Sequence, residues 1–537
     1  MGSLFQKYQE NFNSLLAVNN SSISSTVNGL KNHKTPIIIA ISLFLLNSIY
    51  QKYFTPPKHL KHIPHVGFFK FIKKIFQGAP HSTISKELAA PLYKQKKSGE
   101  MYLMMDSMGW TVNIVNPEDA KQVFLKSDLF SKAEAPFTKD TLTHNYIRND
   151  NLALVSDKNE WKKHRMTVNP AFHRHMPVKL FTEYVHRVFD VIDSSNESTV
   201  DVNMLMQKFT LDIIGKAGFG FDFNSLNEKN NEWVETYHTI KDATENPIFF
   251  FFPFLETKLL WLFPRRRYEH AMVKKFYGML EDVIENKRQY LKTQKEVSSI
   301  NDAEKDLLTL MLESESSNQN SLTNTELKSN LNLFFSAGHD TTSNSLSAAM
   351  YYLAKHQDIQ QRAREEAISI LGDEPVNVFP TFEQTKELVF INQVIKETLR
   401  LSGPATKIST RITKEDTVLS GTFIPKNTPI VVNMLGLHSN ENVWKDPYIF
   451  NPERFSPNGE AEQKIREGLS WAPFASGPRQ CIGMNFSLAE QRVMLLSILR
   501  KYEFHLPENT IHKDGLITNN IGVLRPIDLK IIFKPRY

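Results

Sequence analysis

The distribution of apolar and polar positions divides the 537-residue chain into a polar leader, one apolar run and a long mixed body. Residues 1–35 are rich in Asn and Ser and show no period, which predicts a disordered tail. Ile37 to Tyr50 (IIIAISLFLLNSIY) is then almost continuously apolar, interrupted only by Ser42, Asn47 and Ser48. The run is shorter than the roughly 20 residues of a comfortable membrane span. Tyr50, Tyr53 and Phe54 can extend it into the interface, and Lys52 can snorkel. The expected layout is a leader over 1–35, a transmembrane anchor over 36–54 and a Pro-rich linker over 55–65, with one large domain over 66–537. A cleaved signal or a buried helix are the alternatives to the anchor; no small-x-small cleavage site follows the run. Basic residues flank both ends, with a slight excess after the run, which places the large domain on the cytoplasmic side. Asn19 and Asn20, each in an Asn-x-Ser triplet, then face the lumen.

Within the body, strand patterns at 101–105 and 111–115 enclose the turn residues Asp106–Gly109. Helical patterns dominate from Trp161 to Lys355 and from Glu383 to Leu401. A second strand cluster spans Ile412–Val432, with Ser420-Gly421 as a turn, while the polar stretch from Ser298 to Asn324 reads as a loop. The fold class this predicts is mainly α with small β-sheets.

Composition adds limits. The chain is 41% hydrophobic and carries 37 Phe, which suits ordinary packing or an apolar ligand. A formal charge of +6 gives no argument for nucleic acid; an electronegative protein or an anionic membrane explains it as well. The single Cys excludes an intramolecular disulfide and any multi-cysteine metal site.

That Cys stands in Pro473-Phe-Ala-Ser-Gly-Pro-Arg-Gln-Cys-Ile-Gly-Met484, on a Gly- and Pro-bearing loop directly before the apolar helix pattern of 485–499. A helix N-terminus presents free N–H groups and partial positive charge, which favour thiolate over thiol. Arg479, two residues before, offers a charge suited to a carboxylate. The pattern Phe474-x-x-Gly477-x-Arg479-x-Cys481-x-Gly483 resembles the haem-binding signature of the cytochrome P450 family. Further motifs follow the family's order over roughly residues 56–537. They are Trp161-x-x-x-Arg165, Ala337-Gly338-His339-Asp340-Thr341-Thr342, Glu397-x-x-Arg400 and Pro452-Glu-Arg454-Phe.

The resemblance implies a cytochrome P450 fold and haem b, iron protoporphyrin IX, with Cys481 as axial iron ligand. It implies propionate binding by Trp161, Arg165, Arg479 and Arg411, and cofactor contact at Phe474 and Gly338. Glu397, Arg400 and Arg454 are implied as a buried charge triad that holds the Cys loop. Asp340 and Thr341, at mid-helix positions poor in helix formers, are implied to handle protons at the oxygen site. His339 occupies the motif's variable position and is not expected to be a ligand.

Taken together, the resemblance implies a monooxygenase acting on a lipophilic substrate such as a fatty acid or sterol, at the endoplasmic reticulum membrane. The chain has no Walker-type loop or convincing dinucleotide fingerprint, so electrons come from elsewhere. NADPH-cytochrome P450 reductase is the expected donor, with cytochrome b5 as a further partner; Lys162 and Lys163 can help steer docking. The apolar stretch Pro247–Leu255, with Leu259–Phe263 and Arg265–Arg267 after it, fits contact with the membrane, the end of a core helix being the alternative. The rivals are a family member that rearranges or dehydrates its substrate without oxygen, and a non-catalytic haem carrier or sensor.

Overall fold

The computed structural model describes residues 54–94, 99–135, 137–173, 176–195, 199–228, 230–293, 305–316 and 322–537, with short pieces between 42 and 51. The expected leader, its Asn19 and Asn20 triplets and most of the expected anchor lie outside the described residues. Among the described residues no helix is long and apolar enough to cross a membrane.

Helices make up most of the structure, and those framing the site follow in chain order. They begin with α1 (Phe68–Phe76), α2 (Leu142–Ile147), α3 (Lys158–His173) and α4 (Val202–Ile214). Next come α5 (Glu232–Thr244), α6 (Pro247–Phe251), α7 (Pro253–Lys258) and α8 (Pro264–Thr293). The last four are α9 (Leu307–Ser316), α10 (Asn324–Lys355), α11 (Phe390–Ser402) and α12 (Met484–Lys501). The strands among the described residues are short. β1 (Met101–Asp106) and β2 (Gly109–Ile114) form an antiparallel hairpin with Met101 opposite Ile114. β3 (Phe130–Lys132), β5 (Arg411–Thr413) and β8 (Pro429–Val432) complete a five-stranded sheet in the order β1-β2-β8-β5-β3. β4 (Val200–Asp201), β9 (Tyr502–His505) and β10 (Lys530–Pro535) form a second sheet. β6 (Thr417–Leu419) and β7 (Thr422–Ile424) pair through the expected turn, where Ser420 and Gly421 both take positive φ.

α10 begins as its sequence predicts. Thr323 Oγ1 accepts from the Glu326 N–H at 3.2 Å, and Glu326 Oε2 accepts from the Thr323 N–H at 2.8 Å, a reciprocal capping box. The helix then crosses the middle of the fold, and its mid-section is nearly all buried. Two details differ from the sequence expectation. The polar stretch 298–324 contains α9, whose Leu307, Leu308 and Met311 are buried against the cluster around Phe276 and Phe335. Tertiary burial thus makes a helix of a segment with polar flanks. The pattern over 383–401 divides into a capped turn, Phe382–Lys386, and α11, which starts afresh at Phe390.

Candidate functional site

The Cys loop is shaped by its backbone. Ala475 and Gly477 take φ of 58° and 72°, and a Cβ on Gly477 would lie 2.6 Å from the Phe124 carbonyl oxygen. Glycine is therefore required there by both conformation and space. The loop closes when the Cys481 N–H donates to the Phe474 carbonyl at 3.0 Å. Cys481 is exposed on this loop. Burial pushes the thiol up, while the Gly483 N–H and the Arg165 guanidinium pull it down. A thiol under that opposition becomes a stable thiolate when a metal takes it.

Two helices converge on this loop. From α3, Arg165 donates to the Gln480 carbonyl at 3.1 Å, and Arg479 stacks on the Trp161 ring at 4.5 Å. Arg479 also donates to the Val155 carbonyl at 2.8 Å. From α10, Thr342 Oγ1 donates to Ser487 Oγ on α12 at 2.9 Å. α3 is fastened to the start of α10 through Lys163, whose Nζ lies 2.7 Å from Glu326 and 2.8 Å from Glu160. Those two carboxylates and His164 are close enough together to suggest a metal. Lys163 already supplies the positive charge, and His164 Nδ1 accepts from Asn330 at 2.8 Å.

Arg411 on β5 is buried, and its Nε has no hydrogen-bond partner. Burial lowers the Arg479 guanidinium to about 10, with Arg411 adding repulsion. Lys132 on β3, opposite Arg411 in the sheet register, is brought down to about 7 by burial and then by Arg479 and Arg411. Lys132, Arg411 and Arg479 are near enough to repel one another and among the described residues no carboxylate pairs with them, although Lys132 donates to the Ala153 carbonyl and to Ser409 Oγ. Such a cluster suits an anionic ligand. A haem brings two propionates, and the residues present fit it: a sulfur donor on the Cys loop and a nearby cation set without an acid. Lys132 was not legible in the sequence, because only the sheet register brings it to Arg411.

The expected triad is assembled and fully buried. Arg400 makes a two-pronged contact with Glu397 at 2.7 and 2.8 Å, and Arg454 Nε lies 3.4 Å from the same carboxylate. The link to the Cys loop runs through a residue that sequence motifs did not indicate. Arg400 donates to the His438 carbonyl at 2.7 Å, and the His438 ring accepts from the Ala472 N–H at 3.0 Å. Burial, with Arg400 adding to it, lowers His438 to about 3, so its ring is neutral and free to accept.

At the centre of α10, Thr341 Oγ1 donates to the Ala337 carbonyl at 2.8 Å. The neighbouring Asp340 faces elsewhere, as adjacent helix positions must. Its buried carboxylate takes Lys241 Nζ at 2.7 Å and the Tyr237 hydroxyl at 2.5 Å, both from α5. Burial pushes Asp340 up, but Lys241, His339 and Tyr237 outweigh it and keep the carboxyl below its ordinary value. Asp340 and Thr341 therefore make no direct contact. Gly338 has a packing reason: a Cβ there would lie 2.9 Å from Ile214 Cγ1, so glycine lets α4 cross α10 closely.

Comparison with known proteins agrees with this geometry. The family profile described as Cytochrome P450 matches residues 57–533. The chain is 29% identical to Cytochrome P450 3A12 of Canis lupus familiaris over 455 residues, covering 80% of this chain and 83% of that protein. It is 30% identical to Cytochrome P450 4X1 of Rattus norvegicus over 355 residues, covering 65% of this chain and 68% of that protein. Its fold is similar to the crystal structure of the cytochrome P450DA heme domain, with a TM-score of 0.71 at 20% identity, covering 88% of this chain and 98% of that one.

Proposed function

Because the chain belongs to the cytochrome P450 family of haem-thiolate monooxygenases, we propose that it inserts one oxygen atom from O2 into a lipophilic substrate, a fatty acid, sterol or similar lipid, with electrons from a membrane-bound NADPH-dependent reductase. The observation that carries this reading is the accessible Cys481 thiol on its loop together with the acid-free cation set Lys132, Arg411 and Arg479. When bound, the haem supplies oxygen activation, with thiolate donation favouring O–O cleavage.

The roles of the chain's own residues follow from their positions. Cys481 ligates the iron, and the Phe474 carbonyl fixes its backbone. Arg411, Arg479 and Lys132 hold the propionates, Trp161 supports Arg479 by stacking, and Arg165 braces the loop at Gln480. Glu397, Arg400 and Arg454 hold the Cys loop through His438. The Thr341 hydroxyl, which donates to the Ala337 carbonyl, would turn its oxygen to the oxygen site, and Asp340 is the acid that supplies protons to that region. This acid–alcohol pair favours the oxygen-dependent reaction over rearrangement without O2.

Attachment to a membrane is part of the same proposal. Phe250, Phe252, Phe254, Trp261 and Leu262 are exposed on and after α6 and α7, with Arg265 and Arg267 beside them. Phe69 and Phe76 of α1 are exposed too, and Phe71 of that helix meets Phe251 ring to ring at 6.5 Å. Aromatic side chains rimmed by cations suit the headgroup boundary of a bilayer. An anchor over 36–54, a linker over 55–65 and a catalytic domain over 66–537 would set the domain on the cytoplasmic face of the endoplasmic reticulum.

Reduction with dithionite and addition of carbon monoxide tests the core of the reading. A carbonyl spectrum of the thiolate type is expected from the full chain. Well-folded protein that takes up no haem, or that gives a histidine-type spectrum, overturns it. Substrate class is then decided by titrating fatty acids and sterols against the ferric spectrum and by product formation with reductase, with and without cytochrome b5.

A further inference from the structure

A second concave place lies at the start of α11. The residues leading into that helix, its first two turns, the turn Pro452–Phe455 and the helix Glu460–Glu467 enclose a cleft of about 470 Å³. That volume falls in the range of small-ligand pockets, about 300–1,000 Å³. None of its described lining residues belongs to α10, to the Cys loop or to the cation set of Lys132, Arg411 and Arg479. Leu388, Val389, Phe455 and Pro457 give the cleft an apolar wall, and Val389 is exposed there.

Lys396 stands on the rim of this wall, with Arg492 of α12 near it. Arg492 Nε donates to Asn392 Oδ1 at 2.6 Å, and the Asn392 amide donates to the Leu388 carbonyl, which fixes the guanidinium beside the cleft. Partial burial, with Arg492 adding to it, brings the Lys396 ammonium below its ordinary value. Among the described residues no carboxylate pairs with either cation. Glu462, also on the rim, accepts from the Asn458 N–H at 3.0 Å. Gln393 on the floor is buried, and its Oε1 has no hydrogen-bond partner. Two cations without an acid, set over an apolar wall in a concave space, match a ligand with a negative head and an apolar body. Trp471 touches both features: its Nε1 donates to the Lys396 carbonyl at 3.3 Å, and its ring meets Phe455 at 5.4 Å.

We propose that this cleft is a second binding site, separate from the candidate haem site, for a small amphiphilic carboxylate whose head meets Lys396 and whose apolar body lies on Val389 and Phe455. The inference does not depend on the oxygenase reading.

The test is calorimetric titration of the haem-loaded, full-length chain with 4-phenylbutanoate, with imidazole present to occupy the iron. One saturable site is expected, and the uncharged 4-phenylbutanol should bind it about tenfold more weakly or worse. Lys396→Met should weaken the acid by about the same factor and leave the alcohol unchanged, while Lys396→Arg keeps the acid bound. Val389→Asp, at an exposed position, should weaken both probes. Binding should change tryptophan fluorescence, and Trp471→Phe should abolish that change. Equal affinity for acid and alcohol overturns the site, as does acid binding that Lys396→Met leaves intact or a fluorescence change that survives in Trp471→Phe. If 4-phenylbutanoate does not bind and Lys396→Met instead weakens association with the reductase, the face docks a protein and the small-ligand site is overturned.

Discussion

Two buried groups of charge serve the Cys481 region, and they are built in opposite ways. Glu397, Arg400 and Arg454 meet acids: the Glu397 carboxylate lies within 3.4 Å of both guanidinium groups, Arg454 also pairs with Glu460, and further donors reach backbone carbonyls. Lys132, Arg411 and Arg479 do the reverse, gathering positive charge with no acid among the described residues to meet it. Burying unpaired charge is costly, and a fold tolerates it where a ligand completes the arrangement. The first group is therefore architecture and the second is a socket. The same residue type, a buried Arg, means different things in the two places, and only its partners tell them apart.

The sharpest way to break this contrast is to cut the closed group. Glu397→Ala leaves the buried Arg400 guanidinium without a carboxylate, while Arg454 keeps Glu460, and should cost about 3–5 kcal/mol. Urea unfolding should show that loss equally in haem-free and haem-loaded protein. A smaller effect with a change of sign is expected from the socket. Arg411→Met should lose about 1.5–3 kcal/mol in the haem-loaded form, the worth of a hydrogen bond to a charged group. In the haem-free form it should be neutral or stabilising, because an unpaired cation is gone. A loss of the same sign in both forms would make Arg411 architecture and erase the distinction.

The weakest effect belongs to the half-exposed network at the start of α10. Burial pushes Glu326 up, but Lys163 and the N–H and hydroxyl of Thr323 outweigh it and bring the carboxyl to about 2. Its folded value is depressed from 4.5, so its stabilisation is complete above that pH and is lost as pH falls toward about 2. Glu326→Gln keeps the reciprocal cap but loses the charge that faces Lys163, and should cost about 0.2–1 kcal/mol at neutral pH. Acid unfolding followed by circular dichroism should show the difference between the two proteins closing as pH falls through that window.

Local pattern made much of this legible. The β1–β2 hairpin, the Ser420-Gly421 turn, the capping box at Thr323 and the Cys loop are set by residues within a few positions of one another, where turn chemistry and helix period operate directly. The motif pairs Glu397–Arg400 and Trp161–Arg165 were visible for the same reason. α9 was missed because its apolar face matters only against Phe276 and Phe335, which are distant in sequence. Lys132, His438, Tyr237 and Lys241 carried no local signal at all. Tyr237 and Lys241 stand 103 and 99 positions from Asp340, and nothing in their neighbours announces the contact.

By itself, then, the sequence determined the helical class of the fold, the thiol as candidate ligand and the order of the charged motifs, because each of these rests on short-range spacing. The tertiary structure alone decided which buried charges are satisfied and which await a ligand, and that Asp340 is held by α5 and does not touch Thr341. The physical reason is range. Turns, caps and helical faces depend on backbone geometry over a few residues, whereas pairing a buried charge depends on which distant side chains folding brings within about 3 Å of it.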